Sequence, residues 1–228
     1  MSSNQEELPF NPVPPVVVAL ALIIFGIEMI FEAGARGFIG GPEAVGWRLA
    51  ALKEYAFFAS ILDWMIETNR WQIEHLKRFV TYPFIHQSFT HMLMVLVFLL
   101  ALGKMVGEVF GTFAVLTIFF ASAIVGALAY GLVLDPDYPL IGGYPAVYGL
   151  IGGYTFMLWV SLTGTGNTQF RAFSLIGFLM GLQLFFGLVF GTNNEWLADI
   201  AGFATGFFTT TLFVPGAWRR MLDRLRQR

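Results

Sequence analysis

The sequence predicts an all-α membrane protein of six transmembrane helices with a long membrane-associated first loop, and three observations predict it. The 228 residues are 57% hydrophobic, 17% aromatic and only 12% charged, with a mean hydropathy of +0.69, far from the composition of soluble domains. Six apolar runs, separated by turn-forming residues, approach the ~20 helical residues that a ~30 Å hydrocarbon core requires. Only one extended stretch is polar, and it mixes both charges with aromatics. The net charge of −2 carries no basic stripe for a nucleic-acid partner. With no cysteine, disulfides, thiolate metal sites and thiol nucleophiles are excluded.

Taken in order, residues 1–12 read as a short N-terminal tail without the positive start of a secretory signal. Residues 13–214 read as one six-helix membrane domain. Its first run, Val13 to Phe31, ends near Glu28, which is close enough to the interface to snorkel to water. The first loop, residues 32–78, holds six acidic and six basic residues among Trp47, Tyr55, Phe57, Phe58, Trp64 and Trp71. That mixture suits amphipathic helices lying in the headgroup layer.

A second span runs from Phe79 to Leu102 and stops at Gly103. At its head lie His86 and His91, whose spacing of five turns them about 140° apart on a helix and argues against a metal pair. A short linker to Gly111 leads to the third span, Thr112 to Leu134, and Asp135-Pro136-Asp137 makes a turn. The fourth span, Tyr144 to Leu162, accommodates Pro145 in its first turn, where no N–H is needed. Phe170 to Phe190 makes the fifth span and Trp196 to Val214 the sixth. Residues 215–228 form a tail with five arginines, which places both termini on the cytoplasmic side of a cell membrane, expected to be a bacterial inner membrane.

Two segments carry stripes with almost no side chain. Gly142, Ala146, Gly149 and Gly153 fall on one face of the fourth span, and Ala198, Gly202 and Gly206 on one face of the sixth. Such helices pack closely in a bilayer. Antiparallel packing is the expectation here, bringing Tyr144 and Asp199 together at one membrane face. A carboxylate facing lipid is costly, so Asp199 needs a partner, and the Tyr144 hydroxyl or a protonated His91 is nearest.

Three segments in order resemble the rhomboid family of intramembrane serine proteases. They are Phe79-Val80-Thr81-Tyr82-Pro83-Phe84-Ile85-His86-Gln87-Ser88-Phe89-Thr90-His91, Gly142-Gly143-Tyr144-Pro145-Ala146-Val147-Tyr148-Gly149-Leu150, and Ala198-Asp199-Ile200-Ala201-Gly202-Phe203-Ala204-Thr205-Gly206. The second is similar to the family's Gly-x-Ser-Gly motif followed by Ala-x-x-Gly-Leu, the third to its Ala-His-x-x-Gly-x-x-x-Gly helix. The resemblance implies that Tyr144 stands where the family has its nucleophilic serine and Asp199 where it has the base. Val95 stands in the place of an asparagine oxyanion donor. His86 and His91 are kept, and an acidic residue expected in the linker is displaced to Glu108.

These degenerate positions, Tyr144, Asp199, Val95, His91 and His86, imply a protein without catalytic residues, metal or cofactor. Its partners are then the lipid bilayer and transmembrane helices of other membrane proteins, bound as a client-binding factor or accessory subunit, as derlins and inactive rhomboids do. The alternative is an active intramembrane endopeptidase with rewired residues, for which Ser88 and Thr90 are the replacement nucleophiles nearest the histidines. A transporter is disfavoured, since neither inverted repeats nor several charged spans are visible.

Overall fold

Pro14 and Pro15 start the first helix of the computed structural model, in which residues 12–134, 138–162, 169–181 and 195–214 are described. A proline in the first turn gives up no hydrogen bond and pre-sets φ, so α1 (Pro15–Ala35) begins there. It buries Val17, Leu20, Ala21, Ile24, Glu28, Phe31 and Gly34, one face at helical spacing. Glu28 is thus a core residue, 1% exposed. The expectation that it reaches water is wrong, because a guanidinium from the first loop meets it inside.

The first loop folds into short helices: a 3₁₀ turn (Gly41–Gly46), α2 (Trp47–Tyr55), α3 (Ala59–Thr68), α4 (Ile73–Leu76) and α5 (Arg78–Thr81). It is stapled to the bundle at several points. Phe57 and Leu140 exchange backbone hydrogen bonds of 3.1 and 2.8 Å. Arg78 donates to the Ala56 carbonyl at 2.8 Å and lies over the Phe58 ring. Leu62 and Phe57 close on Gly131.

Lys77 pairs with Glu54 and stacks over Tyr55. The hydrogen bond and charge of Lys77 pull the Glu54 carboxyl below its ordinary value of 4.5, with burial opposing weakly. A lowered folded-state value stabilises the fold above the unfolded value and loses that contribution as pH falls through the folded one. The melting temperature is therefore expected to fall less on acidification below about pH 4.5 in Glu54→Gln than in the unmodified protein, a small difference at an exposed pair.

The segments expected as the second and third spans form one continuous element, α6 (Phe89–Leu134), bent at Gly111, where φ +82° and ψ 179° break the helix. The arms are 89–110 and 112–134. The expected linker from Gly103 is therefore helical up to the bend, where Lys104 and Glu108 lie 3.8 Å apart one turn from each other. Its glycines serve packing: a side chain on Gly103 would press on Val17, and one on Gly107 on Pro14. At the other end α6 starts ten residues later than expected. Ser88 stops the chain, its Oγ accepting from the His91 N–H at 3.3 Å as an N-cap.

The segment expected as the fourth span is α7 (Tyr144–Ser161), followed by the apolar helix α8 (Phe170–Gly181) and by α9 (Trp196–Thr210) with a 3₁₀ turn to Phe213. The expected turn at 135–137, the end of the fifth span and both tails lie outside the described residues. Two described helices, Pro15–Ala35 and Phe89–Leu134, are long and apolar enough to cross a membrane, the second long enough to supply two arms.

α6, α7 and α9 pack against one another, each touching the other two. Side chains added at Gly202 and Gly206 would overlap the carbonyl oxygens of Pro145 and Gly149, and one at Gly153 would sit 2.9 Å from Thr210 Oγ1. Numbers rise together along both helices, so α7 and α9 run parallel. The antiparallel expectation is corrected, and the reason is simple. Tyr144 and Asp199 each lie near the start of their helix, and only parallel helices bring two starts to one end. The stripe differs too. Gly149 and Gly153 are on it, as is Gly152 against the Phe203 carbonyl, whereas Gly142 precedes the helix.

Candidate functional site

The site lies where the approach to α6 meets the first turns of α7 and α9. Tyr82 and Pro83 form a 3₁₀ turn, fully packed, with the Tyr82 hydroxyl donating to the Ala123 carbonyl at 2.8 Å. The Tyr82 carbonyl in turn accepts the Gly142 N–H at 3.0 Å. Gly142 has φ +85°, and its missing side chain leaves room for an imidazole, since a Cβ there would lie 2.6 Å from His91 Cε1 and Nε2. Gly143 N–H points at His86 Nε2 at 3.4 Å. Because Nε2 accepts, the proton of a neutral His86 sits on Nδ1.

Four rings then line up. His86 meets His91 edge to face at 5.2 Å between centroids, and His91 stacks on Tyr144 at 4.9 Å and 19°. Tyr144 meets Tyr148 edge-on at 6.5 Å. The helical-wheel argument that separated the histidines fails because His86 precedes the helix, in irregular chain. Val95, 0% exposed, seats its Cγ1 2.8 Å from where a Gly143 side chain would begin. Asp199 is 2% exposed. Gly202 against Pro145 and Ala198 against Gly126 fix its place beside the start of α7.

All five residues singled out around the site in the sequence are thus brought together. Tyr82 and Tyr148 were missed, although Tyr148 is one helical turn from Tyr144 and so shares its face. Ser88 and Thr90 are exposed, and the Ser88 hydroxyl is engaged as the cap of α6. Among the described residues no three His, Cys, Asp or Glu side chains cluster as metal ligands would. The arrangement offers stacked rings, phenol hydroxyls and a buried carboxylate, a polar patch inside an apolar bundle.

The chain matches the Rhomboid domain family over residues 74–216. It belongs to the rhomboid family, and the fold described above is that of a helical rhomboid-family membrane protein. A curated relative is rhomboid-like protease 3 of Toxoplasma gondii, 30% identical over 131 residues, which are 58% of this chain and 49% of the relative. The chain spans about half the length of that relative. A eukaryotic relative lends no support to the bacterial inner membrane expected from the sequence.

Gly142→Ala is expected to loosen this site. The left-handed backbone costs a residue with a Cβ roughly 1–2 kcal/mol, and the added methyl falls on the His91 ring. The melting temperature in detergent should drop by several degrees, with a larger drop for Gly142→Val.

Proposed function

We propose that this rhomboid-family protein is proteolytically inactive and binds transmembrane segments of other membrane proteins, as a client-binding factor or an accessory subunit. The observation that carries the reading is the Tyr144–His91 stack. By the resemblance, Tyr144 takes the place of the serine nucleophile and Asp199 that of the histidine base, while Val95 replaces a hydrogen-bond donor with methyl groups. Hydrolysis by this route needs an alcohol, a base of suitable pKa and donors aimed at the developing oxyanion. A phenol stacked flat on a neighbouring imidazole supports filling of the site rather than attack from it. The polar patch that results suits recognition of a helix with polar or helix-breaking residues, whose unsatisfied groups are costly in hydrocarbon.

The proposed frame is a six-helix domain over residues 13–214 with the loop 32–78 in one leaflet, residues 1–12 and the arginine-rich 215–228 being cytoplasmic tails. Affinity capture from mild detergent tests the reading, with Tyr144→Ala/Asp199→Ala beside the unmodified protein. A stoichiometric membrane protein, recovered intact with the unmodified chain and lost with the double variant, is the expected result. Retention by both forms would instead make the chain a structural subunit that binds elsewhere. Cleaved fragments that accumulate only with the unmodified chain would overturn the inactive reading.

A further inference from the structure

Among the described residues, a dense polar network lies not at the site but beside it. The Arg48 guanidinium, at the start of α2, forms a two-bond fork with Glu28 of α1, at 2.9 Å to Oε2 and 2.7 Å to Oε1. It also reaches Glu32 Oε1 at 3.1 Å and lies over the Phe31 ring. Its fourth contact is of another kind: Nη1 donates at 2.7 Å to the carbonyl oxygen of His86. Glu32 is held by Arg36 as well, at the surface.

We propose that Arg48 is a positioning residue for the site, holding His86 by its main chain so that the ring accepts the Gly143 N–H and meets His91 edge-on. His86 lies between the Tyr82–Phe84 turn and the Ser88 cap, in a stretch without helical hydrogen bonds of its own. The backbone there is fixed from outside. A guanidinium suits the task because its planar fork satisfies Glu28 while a remaining N–H is directed elsewhere. Glu28 is what keeps the fork in place, being almost wholly buried against an arginine that is only partly so. The series of contacts then runs from α1 through Arg48 to the His86 carbonyl, and from the His86 ring to Gly143 and His91. That this placement matters for capturing a transmembrane segment rests on the function proposed above. The placement itself does not.

The test is diethylpyrocarbonate modification of the full-length protein in detergent, read peptide by peptide by mass spectrometry, with His75 of the first loop as internal reference. A hydrogen bond from a charged donor restrains local opening roughly tenfold or more, so Arg48→Gln is expected to raise His86 modification by about that factor. Arg48→Lys should rescue it only in part, and Glu32→Gln should leave it unchanged, since the Glu28 fork survives. Arg48→Gln also leaves Glu28 buried without its partner, so a second variant guards against unfolding. Glu28→Met/Arg48→Met removes both charges, a replacement that often costs little stability.

A merely structural Arg48 predicts that the double variant melts normally and protects His86. The positioning role predicts normal melting with His86, normalised to His75, still about tenfold more reactive than in the unmodified protein. Unchanged His86 reactivity in a folded double variant overturns the proposal. If His86 loosens while capture of the transmembrane partner is unaffected, the positioning stands and the site's part in binding fails.

Discussion

Gly206→Leu is expected to leave no folded protein at ordinary temperature. A Cβ at this position would overlap the carbonyl oxygen of Gly149 and come within 2.6 Å of its Cα. Overpacking a core usually costs ~1–3 kcal/mol because flexible side chains give way. Here the neighbour is main chain inside another helix, so relief requires α7 and α9 to separate. Separation would also lift Gly202 off Pro145 and Gly153 off Thr210, losing the contacts that hold transmembrane helices together. A loss of more than about 4 kcal/mol follows, comparable with the whole stability of a marginal domain. Gly26→Ala is the control, for a side chain at Gly26 meets nothing within 4 Å among the described residues. It should be neutral or gain up to about 1 kcal/mol. Thermal unfolding in detergent, followed by circular dichroism, separates the two.

No peptide-bond cleavage above the protein-free rate is expected when the purified chain is mixed with a transmembrane peptide in micelles. Losing a nucleophile or its base typically costs ~10⁴–10⁶ in rate. Losing one oxyanion donor costs ~10²–10³ more. In the reading proposed above, Tyr144, Asp199 and Val95 stand at the three positions concerned, and the Ser88 hydroxyl is engaged in capping a helix. Tyr144→Phe is the informative variant, because it keeps the stack on His91 while removing the hydroxyl. Turnover by the unmodified chain that disappears in Tyr144→Phe would show that the phenol attacks, contrary to this account.

Composition and small-residue spacing made much of this legible. Of the stripe Ala198, Gly202 and Gly206, the two glycines meet α7 while Ala198 meets Gly126 of α6, and His86, His91, Val95, Tyr144 and Asp199 share one place. What sequence reasoning missed depends on distant partners or on backbone conformation. Glu28 looked interfacial because Arg48, which neutralises it, lies twenty residues away on another helix. Gly142 fits a helical stripe by number alone, but its positive φ puts it before the helix. His86 and His91 were set apart by a wheel that does not apply to the irregular chain ahead of α6. The helix through Gly103 and Gly107 shows that glycines with neighbours in van der Waals reach mark close packing as readily as a turn.

Binding without cleavage is the central claim, and a photo-crosslinking residue at position 148, whose native ring meets that of Tyr144 edge-on, tests it with Tyr144 left in place. After irradiation in native membranes, the account predicts a crosslink to an intact membrane protein, mapped by mass spectrometry to its transmembrane segment. A crosslink to a cleaved fragment with a new terminus beside the site would contradict it, as would adducts to lipid alone.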